Sequence, residues 1–155
     1  MQILKQDQIL PISVEEAWEF FTSPNNLKTI TPPYMGFDIT AADLPAEIYQ
    51  GMIITYKVKP LFGIPLNWVT EITQAQAPYF FVDNQKLGPF ALWHHQHFFE
   101  KHDNGVRMRD VVHYAAPMGI LGQLAEKAIV KRRINEIFEF RYQKLKELFG
   151  GKFNK

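Results

Sequence analysis

The chain contains no cysteine. It therefore has no disulfide framework and no thiolate metal site. It also lacks a long apolar run: none approaches the ~20 residues needed to span a bilayer. The opening residues, Met1-Gln2-Ile3-Leu4-Lys5-Gln6-Asp7, lack the apolar stretch of a secretion signal. Neither sign of charge is in excess. Lys and Arg number 17 against 16 Asp and Glu, a formal net charge of +1, so no global field draws in nucleic acid or an anionic membrane. There is no internal repeat, low-complexity segment or linker. The expectation is a cytoplasmic protein without nucleic-acid or integral-membrane partners, its oligomeric state open.

What is present is ordinary globular composition with one bias. The 155 residues suffice for one domain with a real core. Hydrophobic residues make up 46% and charged residues 21%, which argues against disorder. The bias is aromatic: 14% of the chain, including 13 Phe. Such a domain has either a thick core or a lined cavity.

Hydrophobic periodicity orders the elements. Residues 2–11 read as a short strand ending at Pro11. Ser13 is a helix N-cap with Glu16 at the capping-box position, and Val14, Trp18 and Phe21 fall at helical spacing. Ser23-Pro24 starts a second short helix through Ile30, which Thr31-Pro32-Pro33 ends. Strand signals follow over 37–41, 52–59, 66–74, 79–86, 90–101 and 106–115. In the second of these Met52, Ile54, Tyr56 and Val58 share a face, and in the third Trp68, Thr70 and Ile72 do. The apolar loop Pro60-Leu61-Phe62-Gly63-Ile64-Pro65 either packs on the first helices or rims a cavity. A long helical pattern runs from Ile120 to Phe149 and stops at Gly150-Gly151. Its apolar positions include Leu121, Leu124, Ala128, Val130, Ile134, Ile137, Phe138, Leu145 and Leu148. Residues 151–155 read as a frayed tail, leaving 1–150 as a single domain. Short links between consecutive strands predict an antiparallel sheet, and the last helix must cover one of its faces.

The most informative stretch is the hairpin of 93–100 with 106–114. Asn104-Gly105 is the strongest two-residue turn signal. Taken as the loop, it sets Glu100 opposite Arg109, His97 opposite Val112 and His95 opposite Tyr114. A loop at Asp103-Asn104 would keep the same faces and set His97 opposite Asp110. Either way one face carries Trp93, His95, His97, Phe99, Met108, Asp110, Val112 and Tyr114. An apolar face with embedded His, Asp and Tyr invites four readings. It is a self-satisfied polar network, a ligand-contacting wall, a two-His-one-carboxylate metal set or a catalytic His–Asp pair. No cofactor or metal is expected. Phe81, Asp83 and Gln85 also share a face by alternation, and the Asp83–Gln85 pair reads as a polar strand end that bonds the Gly88-Pro89 turn.

The ordered set Pro24-Asn25-Asn26-Leu27, Thr31-Pro32-Pro33, Trp68-Val69-Thr70-Glu71-Ile72, Asp83-Asn84-Gln85, Gly88-Pro89-Phe90, Trp93 through Phe99, Met108 through Tyr114 and Pro117-Met118-Gly119 carries a resemblance. It resembles the bacterial SRPBCC ligand-binding proteins of the START/Bet v 1-like superfamily, some labelled cell-division-inhibitor-like. The resemblance covers nearly the whole chain, from Leu10 to about Leu148. It implies an α+β helix-grip fold: a curved antiparallel sheet wrapped around a long C-terminal helix, with two short helices after the first strand. It also implies a cavity for an apolar or amphipathic molecule between sheet and helix. It suggests that the Asp83–Gln85 pair matters, without saying how. The superfamily spans carriers, polyketide cyclases, chaperone activators and oxygenase domains, so fold does not fix function. Without cysteine the chain does not resemble a Rieske oxygenase.

Three functions compete. In the first, a carrier, the lining residues are Tyr56, Trp68, Gln85, Trp93, His95, His97, Asp110, Tyr114, Ile134 and Phe138, with gates at Phe62-Gly63-Ile64 and Pro117-Met118-Gly119. In the second, a cyclase, dehydratase or lyase, His95 or His97 is the acid–base, Asp110 orients it and Tyr114 polarises a carbonyl. The third is an interaction module using Lys127, Lys131, Arg132 and Arg133.

Overall fold

The computed structural model describes residues 1–41, 43–60, 63–116 and 123–150, the last group without the side chains of 123–127. The elements are β1 (Gln2–Leu10), α1 (Val14–Thr22), α2 (Pro24–Thr29), a 3-10 turn (Pro33–Met35), β2 (Asp38–Ile39), β3 (Ile53–Val58), β4 (Leu66–Gln76), β5 (Phe80–Leu87), β6 (Leu92–His102), β7 (Gly105–Ala115) and α3 (Gln123–Phe149). The gate residues Phe62, Pro117, Met118 and Gly119 and the tail 151–155 lie outside the described residues, as do the side chains of Leu121, Leu124 and Lys127.

The seven strands form one sheet in the order β1-β7-β6-β5-β4-β3-β2, with every neighbouring pair antiparallel. Alternation decides its faces. Met52, Ile54, Tyr56 and Val58 are buried, as are Trp68, Thr70 and Ile72, while Lys57 and Lys59 are exposed. The buried face is covered by α3, whose Val130, Ile134, Phe138, Arg141 and Leu145 point into the protein. Two β1 side chains tie the helix down: Gln6 donates to the Phe138 carbonyl at 3.3 Å and Gln8 to the Tyr142 carbonyl at 3.0 Å. The two short helices close the other end. The capping box of α1 is reciprocal, with the Glu16 amide donating to Ser13 Oγ at 3.0 Å and the Ser13 amide donating to the Glu16 carboxylate at 2.8 Å. Trp18 of α1 meets Phe81 and Phe99 of the sheet edge-on, with ring centroids 6.1 and 6.2 Å away.

The β6–β7 hairpin corrects one expectation. The loop is Asp103-Asn104 rather than Asn104-Gly105, and Gly105 pairs with His102. Consequently His97 stands opposite Asp110, Glu100 opposite Arg107 and His95 opposite Val112. The expected Glu100–Arg109 ion pair survives as a diagonal contact of 3.1 Å. Gly105 is drawn into the strand by packing. Its φ is +126°, and a Cβ built there would lie 2.1 Å from the Leu10 carbonyl oxygen, where β1 turns towards α1. Both the backbone angle and the space therefore require glycine. Gly105→Ala is expected to cost roughly 2–4 kcal/mol, because backbone rather than a flexible side chain must move. Urea unfolding would read the loss, and a change below about 0.5 kcal/mol, the ordinary surface range, would contradict it.

Candidate functional site

Between the sheet, α2 and α3 lies a cavity of about 170 Å³. Its apolar walls include Ile54, Tyr56 and Val58 from β3, Trp68 and Ile72 from β4, and Phe138 from α3. Aromatic rings at one end interlock: Trp68 lies 5.5 Å from both Phe90 and Trp93, and 5.9 Å from Tyr56. Tyr56 and Thr70 share a hydrogen bond of 2.7 Å on the same wall. Burial, and then the Asp83 charge, pushes the Tyr56 hydroxyl well above its usual titration range. The indole Nε1 of Trp68 is buried without a hydrogen-bond partner among the described residues.

One stretch of wall is polar, formed by Asp83 of β5, His95 and His97 of β6 and Arg141 of α3. Register builds it. Asp83 pairs with His95 across β5–β6, and His97 pairs with Asp110 across β6–β7, so alternation brings all four side chains to the inner face. Asp110 is fully buried beneath the wall. His95 Nε2–H donates to Asp110 Oδ1 at 2.8 Å and His97 Nε2–H donates to Asp83 Oδ2 at 2.7 Å. His97 Nδ1 lies 3.1 Å from Asp110 Oδ1, and Arg141 Nη2 lies 3.5 Å from that oxygen. The two imidazoles pack with ring centroids 3.7 Å apart, and Phe81 stacks on His97 at 4.0 Å.

Opposite charges meet in this small volume. Burial alone would raise both carboxyls, but their neighbours outweigh it. The Arg141 charge and then the hydrogen bonds from His95 and His97 hold Asp110 well below the usual carboxylate range. The His95 charge and then the His97 hydrogen bond lower Asp83. Burial, followed by the neighbouring His97, pushes His95 down to about 4. Burial also opposes charge on His97, yet its bonds to Asp110 and Asp83 prevail and raise it. Two carboxylates therefore face one guanidinium and two imidazoles, of which His97 holds a proton more readily than a free histidine and His95 less readily.

Six of the residues marked from sequence, Tyr56, Trp68, Trp93, His95, His97 and Phe138, lie on the cavity wall. Asp110 sits behind it. Tyr114 and Ile134 pack in a separate apolar cluster with Val112, Val130 and Phe138. Gln85 bonds backbone instead: its amide donates to the Phe90 carbonyl at 2.7 Å and accepts from the Phe90 amide at 3.3 Å, clamping the Gly88-Pro89 turn. Gly63 and Ile64 are exposed and off the wall, whereas Pro60 is buried on it. Sequence reasoning missed Arg141 and left Asp83 outside the site. A signal for Arg141 existed: it falls on the stripe Ile134, Phe138, Leu145 at helical spacing, a charge where a core residue belongs. In the basic cluster on α3, Arg132 and Arg133 share one carboxylate, that of Glu136, each at 2.9 Å. Among the described residues no helix is long and apolar enough to cross a membrane.

No family model and no curated protein matches the chain. Solved structures do. Protein CV1439 from Chromobacterium violaceum superposes with a TM-score of 0.70 at 12% identity, covering 95% of this chain and 96% of that one. Protein Ms6760 from Mycobacterium smegmatis gives 0.66 at 21%, covering 94% and 89%. Ara h 8.0201 gives 0.57 at 10%, covering 93% and 97%. Identities this low speak for fold alone. Together with the sheet order and the C-terminal helix, they assign the chain the Bet v 1-like helix-grip fold.

Proposed function

We propose that this protein binds a compact apolar or amphipathic small molecule between the sheet and the C-terminal helix, as a member of the SRPBCC ligand-binding group that its sequence resembles. The observation that carries this reading is an aromatic-walled cavity of about 170 Å³ with a polar patch on one wall. A mostly apolar hollow with a few converging polar groups is the usual form of a small-molecule site. Size narrows the ligand. An apolar cavity of about 150 Å³ accepts a benzene ring, and drug-sized ligands occupy roughly 300 Å³ or more. The occupant is thus a single ring or a short branched chain, its apolar body among Tyr56, Trp68 and Trp93 and its polar end at His97 and Arg141.

Native mass spectrometry of protein purified from its own host, followed by organic extraction, tests this directly. A stoichiometric small apolar compound is expected. Ile137→Trp, which fills the helix side of the wall, should weaken binding of the extracted compound by about tenfold or more, since one lost apolar contact patch is worth at least ~1.4 kcal/mol. Its melting temperature should stay close to wild type. Unchanged affinity would place the ligand elsewhere.

The 2.7 Å bond between His97 and Asp83 on the wall supports a second reading, acid–base catalysis on the bound molecule. Here Asp83 rather than Asp110 makes the short bond to His97, and Tyr114 lies away from the wall. Loss of turnover in His97→Ala with the fold intact would favour it over simple carriage.

A further inference from the structure

We propose that Asp83, His95 and His97 form a divalent-metal site on the cavity wall, binding Zn²⁺ or a neighbouring first-row ion through two imidazole nitrogens and one carboxylate oxygen. The sequence alone favours no metal, and its metal alternative joins His95 and His97 to Asp110. The geometry gives the two carboxylates different roles.

Four observations converge. Asp83 stands directly across from His95, with His97 two residues on along the same face, and one donor atom from each lies within 4.8 Å of the others. Each imidazole also turns one nitrogen to Asp110 and the other to Asp83. The nitrogens facing Asp110 Oδ1 are His95 Nε2 at 2.8 Å and His97 Nδ1 at 3.1 Å. Those facing Asp83 Oδ2 are His95 Nδ1 at 3.5 Å and His97 Nε2 at 2.7 Å. Metal-bound histidines characteristically direct their second N–H to a carboxylate, which fixes the tautomer and ring plane. Asp110 does this for His95, and the His97 Nδ1 lies 3.1 Å from the same oxygen, a turn of the ring away from the same bond, with Arg141 Nη2 3.5 Å off.

The third observation is a shared oxygen. His97 Nε2–H donates to Asp83 Oδ2 at 2.7 Å, and His95 Nδ1, an acceptor while Nε2 donates to Asp110, faces the same oxygen at 3.5 Å. A cation in place of the His97 proton is within reach of all three side chains. Nitrogen and oxygen ligands at 2.0–2.2 Å around a tetrahedral Zn²⁺ stand about 3.3 Å apart. The His95–Asp83 separation already matches, and the His97–Asp83 separation need open only by about half an ångström, once the ion replaces the shared proton. Fourth, all three residues lie on the cavity wall, so the remaining coordination positions open into it. With both imidazoles neutral as ligands, the ion and Arg141 carry one positive charge more than Asp83 and Asp110 offset. The cavity then favours an anionic oxygen (carboxylate, enolate or phenolate) on a small apolar body. The metal site stands whether or not such a ligand is found, because it is tested with the ion alone.

The test uses untagged, chelator-stripped protein titrated with Zn²⁺ against a chromogenic chelator. One ion per chain is expected. Asp83→Asn and His97→Gln should each weaken binding by about 100-fold or more, and Asp110→Asn by about 10–100-fold, the usual effect of an outer carboxylate. His102→Gln, at the end of β6, should change nothing. Should the cavity variants fail to fold, the wild-type protein loaded with Co²⁺ still decides. Its proton spectrum should show two exchangeable, paramagnetically shifted imidazole N–H signals, one from each histidine. No saturable binding, undiminished binding in folded Asp83→Asn and His97→Gln, or a Co²⁺ spectrum without shifted imidazole N–H signals would overturn the site.

Discussion

Asp110→Asn is expected to destabilise the protein by about 3–5 kcal/mol, the range seen when one partner of a buried charge cluster is removed. Asp110 is wholly buried, and both imidazoles and Arg141 converge on its Oδ1. The amide keeps the shape but removes the charge. Arg141 then keeps a buried guanidinium with the faces of Phe21 and Phe138, 5.2 and 5.8 Å away, and the charge of Asp83 beyond ion-pair contact. Those ring contacts contribute about 0.5–2 kcal/mol each, too little to replace an ion pair and its hydrogen-bonded network. For a chain of this length the melting temperature should fall by roughly 10 °C. Adding Arg141→Met removes the stranded cation and should recover part of the loss, since a buried ion pair and an apolar pair of similar volume are often near parity. A thermal double-mutant cycle measures the coupling. A single variant within about 1 kcal/mol of wild type would mean that Asp110 carries no charge in the folded protein.

Stability should pass through a maximum near neutral pH, with His95 shaping the acid side and His97 the alkaline side. His95 is depressed to about 4 from an ordinary 6.5. The unfolded chain therefore takes up a proton that the folded chain refuses, and stability falls as pH drops from 6.5 to about 4. A shift of that size corresponds to a loss on the order of 3 kcal/mol. Asp83 and Asp110 lie below their ordinary range. Their contribution is complete above the unfolded carboxylate value and is lost as pH falls through their folded values. His97 acts in the opposite sense. It is raised, so its contribution is complete below 6.5 and lost as pH rises through its folded value. Thermal melts across pH should show both limbs. His97→Gln should flatten the alkaline limb and, by removing the second cause of the His95 depression, also soften the acid one, whereas His95→Gln should remove the loss between 6.5 and 4. An alkaline limb unchanged in His97→Gln would assign it to another group.

Much of the architecture was readable because strand and helix periods differ. Alternation in Met52–Val58 and Trp68–Ile72 identified inner faces that the sheet buries. Ser13 and Glu16 identified the start of α1, which their reciprocal bonds confirm. The hairpin slipped by one position relative to its strongest turn signal, for a reason no local rule contains. Gly105 is needed where the end of β1 crosses it, so Asp103-Asn104 makes the turn.

The site divides along the same line. Placing Trp93, His95, His97 and Asp110 on one face required only a hairpin and a period of two, and the sequence by itself determined that. It also determined that this face would be aromatic and that a long helix would cover it. Tertiary structure alone decided which carboxylate reaches the cavity. Asp83 lies on another strand, and its inward turn depends on how β5 registers against β6. Tertiary structure likewise brought Arg141 in from α3, 31 residues beyond Asp110, to sit 3.5 Å from its carboxylate. Local periodicity specifies which side chains share a face. Only packing of distant segments brings opposite charges close enough, and dry enough, for each to set the other's state.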